Sequence, residues 1–531
     1  MFDRKQDLVL VRFSALLIMS LIAGFTAPAR SAAAGEDARA LYAQAVEAHW
    51  KWNLDKAIQL YTRALVTDPK NARAYFNRGA AYRSQGQQDM ALADFNQAIS
   101  KDPVMVDALF GRGAIFLQKK KYKKAIQDMS RVLKRKDKHS GALRSRARAT
   151  LALGKFDRAV KDLDRAIRIY PQDSQSYFLR GIAYQKKRED KSALADFDKT
   201  LELNDKHPGA WLRRGNLLVR GGKPEQAIAD YDRAINLDPN QAQAYNRRGW
   251  TRAGLGNLEG AERDLTRALE LKPRFVSALK NRAGVYKMMD RPESALKDAD
   301  RLLRLKPSDV EIREMRGRLL LDLGKTAKAV KDLNKALEIQ PKNVTLLALR
   351  GRTLLRLGEH SKAAADLDQV LKAEPDNVQA RIDRGAAHLA DKAYNKAIID
   401  YAEALKLAPA DQAATLYFNL GNAHLLAGHA EQSIDNFSKV IDEKPDFGSA
   451  YLNRGKAYRS LKEFSLAAED LRTALTLLKK PAQIKTARGL LQETEQVLKA
   501  RRPPAKFEVL PPELLELRRE DRFAPAESPF W

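Results

Sequence analysis

The chain has 531 residues, 44% hydrophobic and 31% charged, with a formal net charge of +28 and no cysteine. It can form no disulfide, thiolate metal site or lipid-modified cysteine, and its 7 histidines are scattered. The apolar content is enough to bury, but a chain of this length does not fold around one globular core.

Residues 1–34 stand apart from the rest. Arg4, Lys5 and Arg12 precede an apolar run from Phe13 to Phe25, and Ala27-Pro28-Ala29 and Ala32-Ala33-Ala34 follow. This is the layout of a secretory signal peptide. The run is too short to span a bilayer comfortably. Cleavage is expected after Ala34, with Ala29 as second choice, which makes the protein exported and periplasmic or envelope-associated. An uncleaved anchor is the other reading.

From Ala38 a 34-residue unit recurs. Its clearest copy is Pro208–Gln241, PGAWLRRGNLLVRGGKPEQAIADYDRAINLDPNQ. Two helical patterns are expected in it, about Ala210 to Arg220 and Glu225 to Leu237, separated by Gly221, Gly222 and Pro224. With Trp211 at slot 4, repeats start at 38, 72, 106, 140, 174, 208, 242, 276, 310, 344 and 378. Two more start at 414 and 448, after the extra residues Gln412 and Ala413. Slot 8 is Gly in ten of the thirteen repeats and slot 20 is Ala in twelve. Slots 4, 11 and 24 are mostly large and apolar, as in Tyr75, Tyr82 and Phe95. Glycine inside a helix costs about 0.5–1 kcal/mol against alanine, so glycine at a fixed slot implies a close approach. In an antiparallel pair, slots 8 and 20 should face each other, as should 4 and 24. Periodicity of this length signals a solenoid.

Slot 7 is Arg in eleven repeats and slot 23 is Asp in the same eleven; the first repeat has Gln44 and Leu60 there, the twelfth Leu420 and Asn436. The shared absences predict an Arg–Asp bridge inside each repeat, not between neighbours. The remaining positive charge is uneven. Val106–Asp173 holds 19 basic and 7 acidic residues, on turns at opposite edges of a solenoid. A solvated surface explains it, and an anionic partner is the alternative.

The pattern W/Y at slot 4, G at 8, Y at 11, A at 20, F/Y at 24 and P at 32 resembles the tetratricopeptide repeat family, over about residues 38–481. The resemblance implies an all-α fold, a right-handed superhelical solenoid of about thirteen helix pairs. It also implies a concave groove lined by the first helices, which in this family usually binds other proteins. Groove-facing slots lie near 2, 5, 6, 9 and 13. Here they carry Phe76, Phe110, Arg144, Arg148, Phe178, Arg213, Arg220, Arg247, Trp250, Lys280, Arg318, Arg352 and Arg356. Aromatic and arginine anchors suit the binding of protein partners as peptide segments, acidic ones among them; packing between repeats is the competing role for the three Phe. The lysine–asparagine clamp of chaperone-tail binders and the asparagine ladder of the glycosyltransferase members are not carried over, since only Asn77, Asn281, Asn419 and Asn453 remain of the ladder.

The insertion before the twelfth repeat predicts a hinge or change of curvature near Ala410–Ala413. Residues 35–481 are read as the solenoid, 482–500 as a capping helix and 501–531 as a proline-rich tail with one helical piece, Glu513 to Glu520. No phosphate-binding loop, HExxH or nucleophile elbow appears, and no cofactor, metal or catalytic residue is expected. The expected function is a non-enzymatic protein–protein interaction scaffold. The alternative is a binder of anionic polymer: acidic polysaccharide, or nucleic acid were the chain not exported. The tail, which carries Glu508, Glu513, Glu516, Glu520 and Asp521 and ends in Phe530-Trp531, is itself a candidate groove ligand.

Overall fold

The computed structural model describes residues 37–501, which contain twenty-seven α-helices, one 3-10 turn and no strand. The expected signal peptide and tail lie outside the described residues. The chain divides into two compact units, 1–251 and 252–531. Each is a stack of helix pairs, beginning with Ala38–Trp50 and Leu54–Thr67 and ending with Gly448–Ser460 and Phe464–Leu477. The copy used to set the register folds as Pro208–Arg220 and Pro224–Leu237, each starting on proline at the first helical position.

The turn inside every repeat depends on slot 15. All thirteen residues there have positive φ: glycine at 86, 154, 222, 256, 324, 358 and 428, but Trp52, Lys120, Arg188, Asp290, Lys392 and Lys462 elsewhere. A left-handed conformation costs a non-glycine residue about 1–2 kcal/mol. The turn geometry is therefore imposed by the packed helices, not chosen by glycine alone.

Slot 8 faces slot 20, as expected, and also the ring at slot 24. A Cβ on Gly215 would lie 2.7 Å from Tyr231 Cε1 and 3.2 Å from the Ala227 carbonyl. Gly181, Gly385 and Gly421 meet Phe197, Tyr401 and Phe437 at 2.8 Å. Glycine thus seats the slot-24 ring as well as the slot-20 backbone. The rings themselves are fully buried, as at Phe95, Phe197 and Phe437.

Arginine at slot 7 ties these layers together. Arg214 Nε and Nη2 donate to the two carboxylate oxygens of Asp230 at 2.8 Å, the fork-to-fork arrangement. The same pairing joins Arg78 to Asp94, Arg146 to Asp162, Arg282 to Asp298, Arg350 to Asp366 and Arg454 to Asp470. The aspartates are buried, and the bond to Asp230 raises the pKa of Arg214 above its ordinary value. The bridge lies inside the repeat, as the sequence predicts. The structure adds a third bond, to the preceding repeat: Arg214 Nη1 to Asp198 at 2.8 Å. Slot 25 supplies this acceptor throughout, as Thr62, Asn96, Ser130 and Asp164 in the first unit and Thr266, Asp300, Asn334, Asp368 and Ser438 in the second.

Of the extra residues before the twelfth repeat, Gln412 ends the 3-10 turn Ala410–Gln412 and Ala413 begins the helix Ala413–Ala427. After the last pair, Pro481–Arg501 lays Ile484, Ala487, Leu490 and Leu491 against Leu452, Leu471, Ala474 and Leu478. This closes the apolar face that a following repeat would cover.

Candidate functional site

The first-helix face is built from slots 2, 5, 6, 9 and 13. In the first unit its phenylalanines are half-buried between repeats. Phe76 packs at 5.9 Å from Phe95. Phe110 stacks on His139 at 4.8 Å and Phe178 on His207 at 4.2 Å, centroid to centroid. Both histidines cap the next first helix: His139 Nδ1 accepts from Ala142 N and His207 Nδ1 from Ala210 N, each at 3.1 Å. Burial holds both imidazoles below their ordinary pKa, which keeps the nitrogen an acceptor. Gly141 and Gly209 follow each histidine and leave room for the ring. The slot-5 rings therefore hold successive first helices in register.

Most cations expected on this face have local partners. Arg144 Nη1 bonds Asp173 at 2.5 Å, and Asp173 is buried and also accepts from Ser176. Arg213 donates to Gln185 at 2.9 Å and lies 5.8 Å from the Phe178 centroid; burial lowers its pKa. Arg220 pairs with Asp190 at 2.8 Å. Arg148 and Arg247 are exposed, and Trp250 is 47% exposed. In the second unit Lys280 pairs with Glu311 at 3.0 Å, Arg318 with Glu314 at 2.9 Å and Arg352 with Asp383 at 3.0 Å. Arg356 is exposed. The thirteen residues are thus split between the two units, and the positive field expected of them is matched largely pair by pair.

A different arrangement occupies the same slots in repeats twelve and thirteen. Phe418 stacks on Phe437 and Phe447 at 5.7 and 5.0 Å. Beside it, Asn453 Nδ2 donates to Asn422 Oδ1 at 2.7 Å, and Lys456 Nζ donates to Asn453 Oδ1 at 3.0 Å. Burial lowers the pKa of Lys456. Asn419 stands half-buried next to Phe418. Among the described residues, the Asn419 side chain and the Asn422 amide nitrogen have no hydrogen-bond partner. The site expected from the sequence ends at Arg356 and does not include this cluster. The signal was present, since Asn419, Asn422, Asn453 and Lys456 occupy slots 6, 9, 6 and 9.

No group of three His, Asp or Glu that could hold a metal ion occurs among the described residues. His424 and His429 lie 3.4 Å apart through Nδ1, and His388 lies 3.8 Å from Asp400. No described helix is long and apolar enough to cross a membrane.

Family models of the tetratricopeptide repeat match residues 53–82, 72–103, 89–140, 144–210, 215–256, 242–275, 283–353, 349–412 and 418–480. The chain belongs to the tetratricopeptide repeat family. Repeats of this family generally mediate protein–protein interactions and are generally non-catalytic. Comparison with curated proteins returns no match. Among solved structures, a tetratricopeptide repeat protein from Parabacteroides merdae is 22% identical with a TM-score of 0.36, over 48% of this chain and 98% of its own. YrrB, described as having an unusual peptide-binding site, is 21% identical with a TM-score of 0.31, over 37% and 97%. The Cut9–Hcn1 assembly is 13% identical with a TM-score of 0.35, over 86% and 96%.

Proposed function

We propose that this tetratricopeptide repeat protein is an exported scaffold of a bacterial cell envelope whose first-helix face binds extended segments of partner proteins. The carrying observation is the Asn422–Asn453–Lys456 chain beside Phe418 and Asn419. Asn419 keeps its whole amide uncommitted and Asn422 its two N–H donors. An extended peptide presents unpaired backbone groups at regular intervals, so half-buried amides with spare donors can read its main chain whatever its sequence. Phe418 supplies an apolar wall, and Lys456 a cation in a site poor in water. The cations expected in the groove of the first repeats support polyanion binding less well, because Arg144 and Arg220 already have carboxylate partners.

The test is a cross-linking pull-down from envelope extracts with the full chain, beside a column of immobilised acidic polysaccharide. Asn422→Ala with Lys456→Ala should abolish specific protein adducts and leave the fold intact. Retention on the polysaccharide with no protein adduct would favour the anionic-polymer reading. Export rests on Arg4, Lys5, the run Phe13–Phe25 and the following alanines. The mature N-terminus should lie near Gly35, and intact Met1 in a cytoplasmic fraction would refute it.

A further inference from the structure

The turns inside the repeats of the first unit stand at one edge of its stack of helix pairs. Bonds from slot 14 to slot 18 of the preceding repeat tie them side by side: Gln85 Nε2 to Asp55 at 2.7 Å, Lys119 to Asp89, and Lys187 to Asp157 at 2.7 Å. Between repeats three and four this stitch is missing, because slot 18 is Lys123 and slot 14 is the exposed Leu153. Slots 13–19 of the first three repeats read WKWNLDK, SQGQQDM and QKKKYKK. They hold seven lysines and two aspartates, and both aspartates are taken by the stitches. Lys51 pairs with Glu47. Lys120, Lys121 and Lys123 are exposed and make no hydrogen bond or ion pair with any described residue. The helix Tyr122–Arg135 has no acidic residue in its first turn and no side-chain cap, so its positive dipole end adds to the lysines.

Apolar side chains share this edge. Trp50 is 53% exposed and Trp52 51%, and Met90 is exposed in the first turn of Gln88–Lys101. Trp52 also has a φ of 60°, at the slot where seven repeats place glycine. An indole is thus held open to solvent against a backbone cost that its packing does not repay. We infer that this edge docks the protein on a membrane surface bearing anionic phospholipid. The indoles and the thioether enter the headgroup boundary, where tryptophan is favoured. The lysines meet lipid phosphates, as a polybasic cluster does. Every uncompensated cation named is a lysine, a flexible point charge without the fork that reads one defined carboxylate or phosphate. A protein partner would have to offer carboxylates and a pocket for each indole in fixed register, whereas a headgroup layer offers both at any register. The edge is separate from the first-helix face of repeats twelve and thirteen, so the inference does not depend on peptide binding there.

The experiment is flotation of the full chain with vesicles of equimolar phosphatidylcholine and phosphatidylglycerol, beside vesicles of phosphatidylcholine alone. The wild type should float with the anionic vesicles, bind the neutral ones about tenfold more weakly, and lose affinity as salt screens the lysines. Trp50→Ser with Trp52→Gly installs the residues that repeat two carries at those slots, Ser84 and Gly86, and should weaken flotation about tenfold. Lys120→Gln with Lys121→Gln and Lys123→Gln should do the same. All five side chains are exposed, and an undiminished Tm verifies that both variants fold. Equal binding to neutral vesicles overturns the inference. So does binding that survives either set of substitutions, as attachment through the run Phe13–Phe25 would. Capture of a single-stranded oligonucleotide without flotation overturns it too, in favour of nucleic acid.

Discussion

The junction entering the sixth repeat and the one entering the twelfth solve one problem in opposite ways. At the sixth, Arg214 holds Asp230 in its own repeat and Asp198 in the one before. At the twelfth, slot 7 is Leu420, buried in a cluster with Tyr401, Leu416 and Ala423. Asn436 turns its amide to its own helix, donating to the Gln432 carbonyl at 2.7 Å, and Ser433 bonds the Gly421 carbonyl at 3.0 Å. Slot 25 of the repeat before is Ala402, so the third acceptor is gone as well. A directional ionic lock has been exchanged, as a set, for apolar contact. The twelfth repeat is also where the first-helix face presents uncommitted amides. The amides face the lock of repeat thirteen, where Arg454 again holds Asp470.

The largest expected effect is at the lock. Arg214→Ala leaves Asp230 buried and unpaired and should cost about 3–5 kcal/mol, read by urea unfolding. Arg214→Leu with Asp230→Asn imitates the twelfth repeat and should cost clearly less, because both charges leave together. Equal losses would mean that the lock is not an ion pair in energetic terms. Unfolding of a repeat array need not be two-state, so the comparison is best read with probes near the sixth repeat.

The next effect is a difference of sign. Gly215→Ala drives a Cβ to 2.7 Å from Tyr231 and should destabilise by about 1–3 kcal/mol. Gly317→Ala meets nothing nearer than Leu333 at 3.5 Å and should stabilise by about 0.5–1 kcal/mol. Thermal melts of the two variants decide it; the same sign at both sites would contradict the ring-seating role of slot 8.

The smallest is a pH effect. Burial lowers the pKa of His139 and His207 in the folded chain. Their contribution is complete above the unfolded value of about 6.5 and is lost as pH falls through it toward the lower folded value. Tm should therefore drop between pH 7.5 and 5.5. His139→Asn with His207→Asn keeps a capping side chain that does not titrate, and should drop less. An identical drop would place the pH sensitivity elsewhere.

Much of the architecture was legible. The 34-residue period gave the helix pairs, and the joint loss of Arg and Asp in the first and twelfth repeats showed that slots 7 and 23 touch. The third acceptor was hidden because Thr62, Asn96, Ser130 and Asp164 share a short polar reach but no residue type. Slot 15 was hidden for a related reason: helix packing imposes positive φ on Trp52 and Lys120 without glycine. The phenylalanines were found, but their stacking on His139 and His207 depends on residues 29 positions later. The cations of the groove are legible too; their carboxylate partners are distant in sequence, Asp173 lying 29 residues after Arg144 and Asp190 lying 30 residues before Arg220. The amides at Asn422 and Asn453 do not stand out as part of an array-long ladder, because they act as one local pair.

Recognition at repeats twelve and thirteen can be tested by placing a photoreactive residue at Asn419 in the full chain, and separately at Arg352, whose carboxylate partner is Asp383. The account predicts protein adducts at position 419 in the cell envelope, lost when Asn422→Ala and Lys456→Ala are added, and few at 352. Adducts at 352 alone, or adducts at 419 that survive both substitutions, would contradict it.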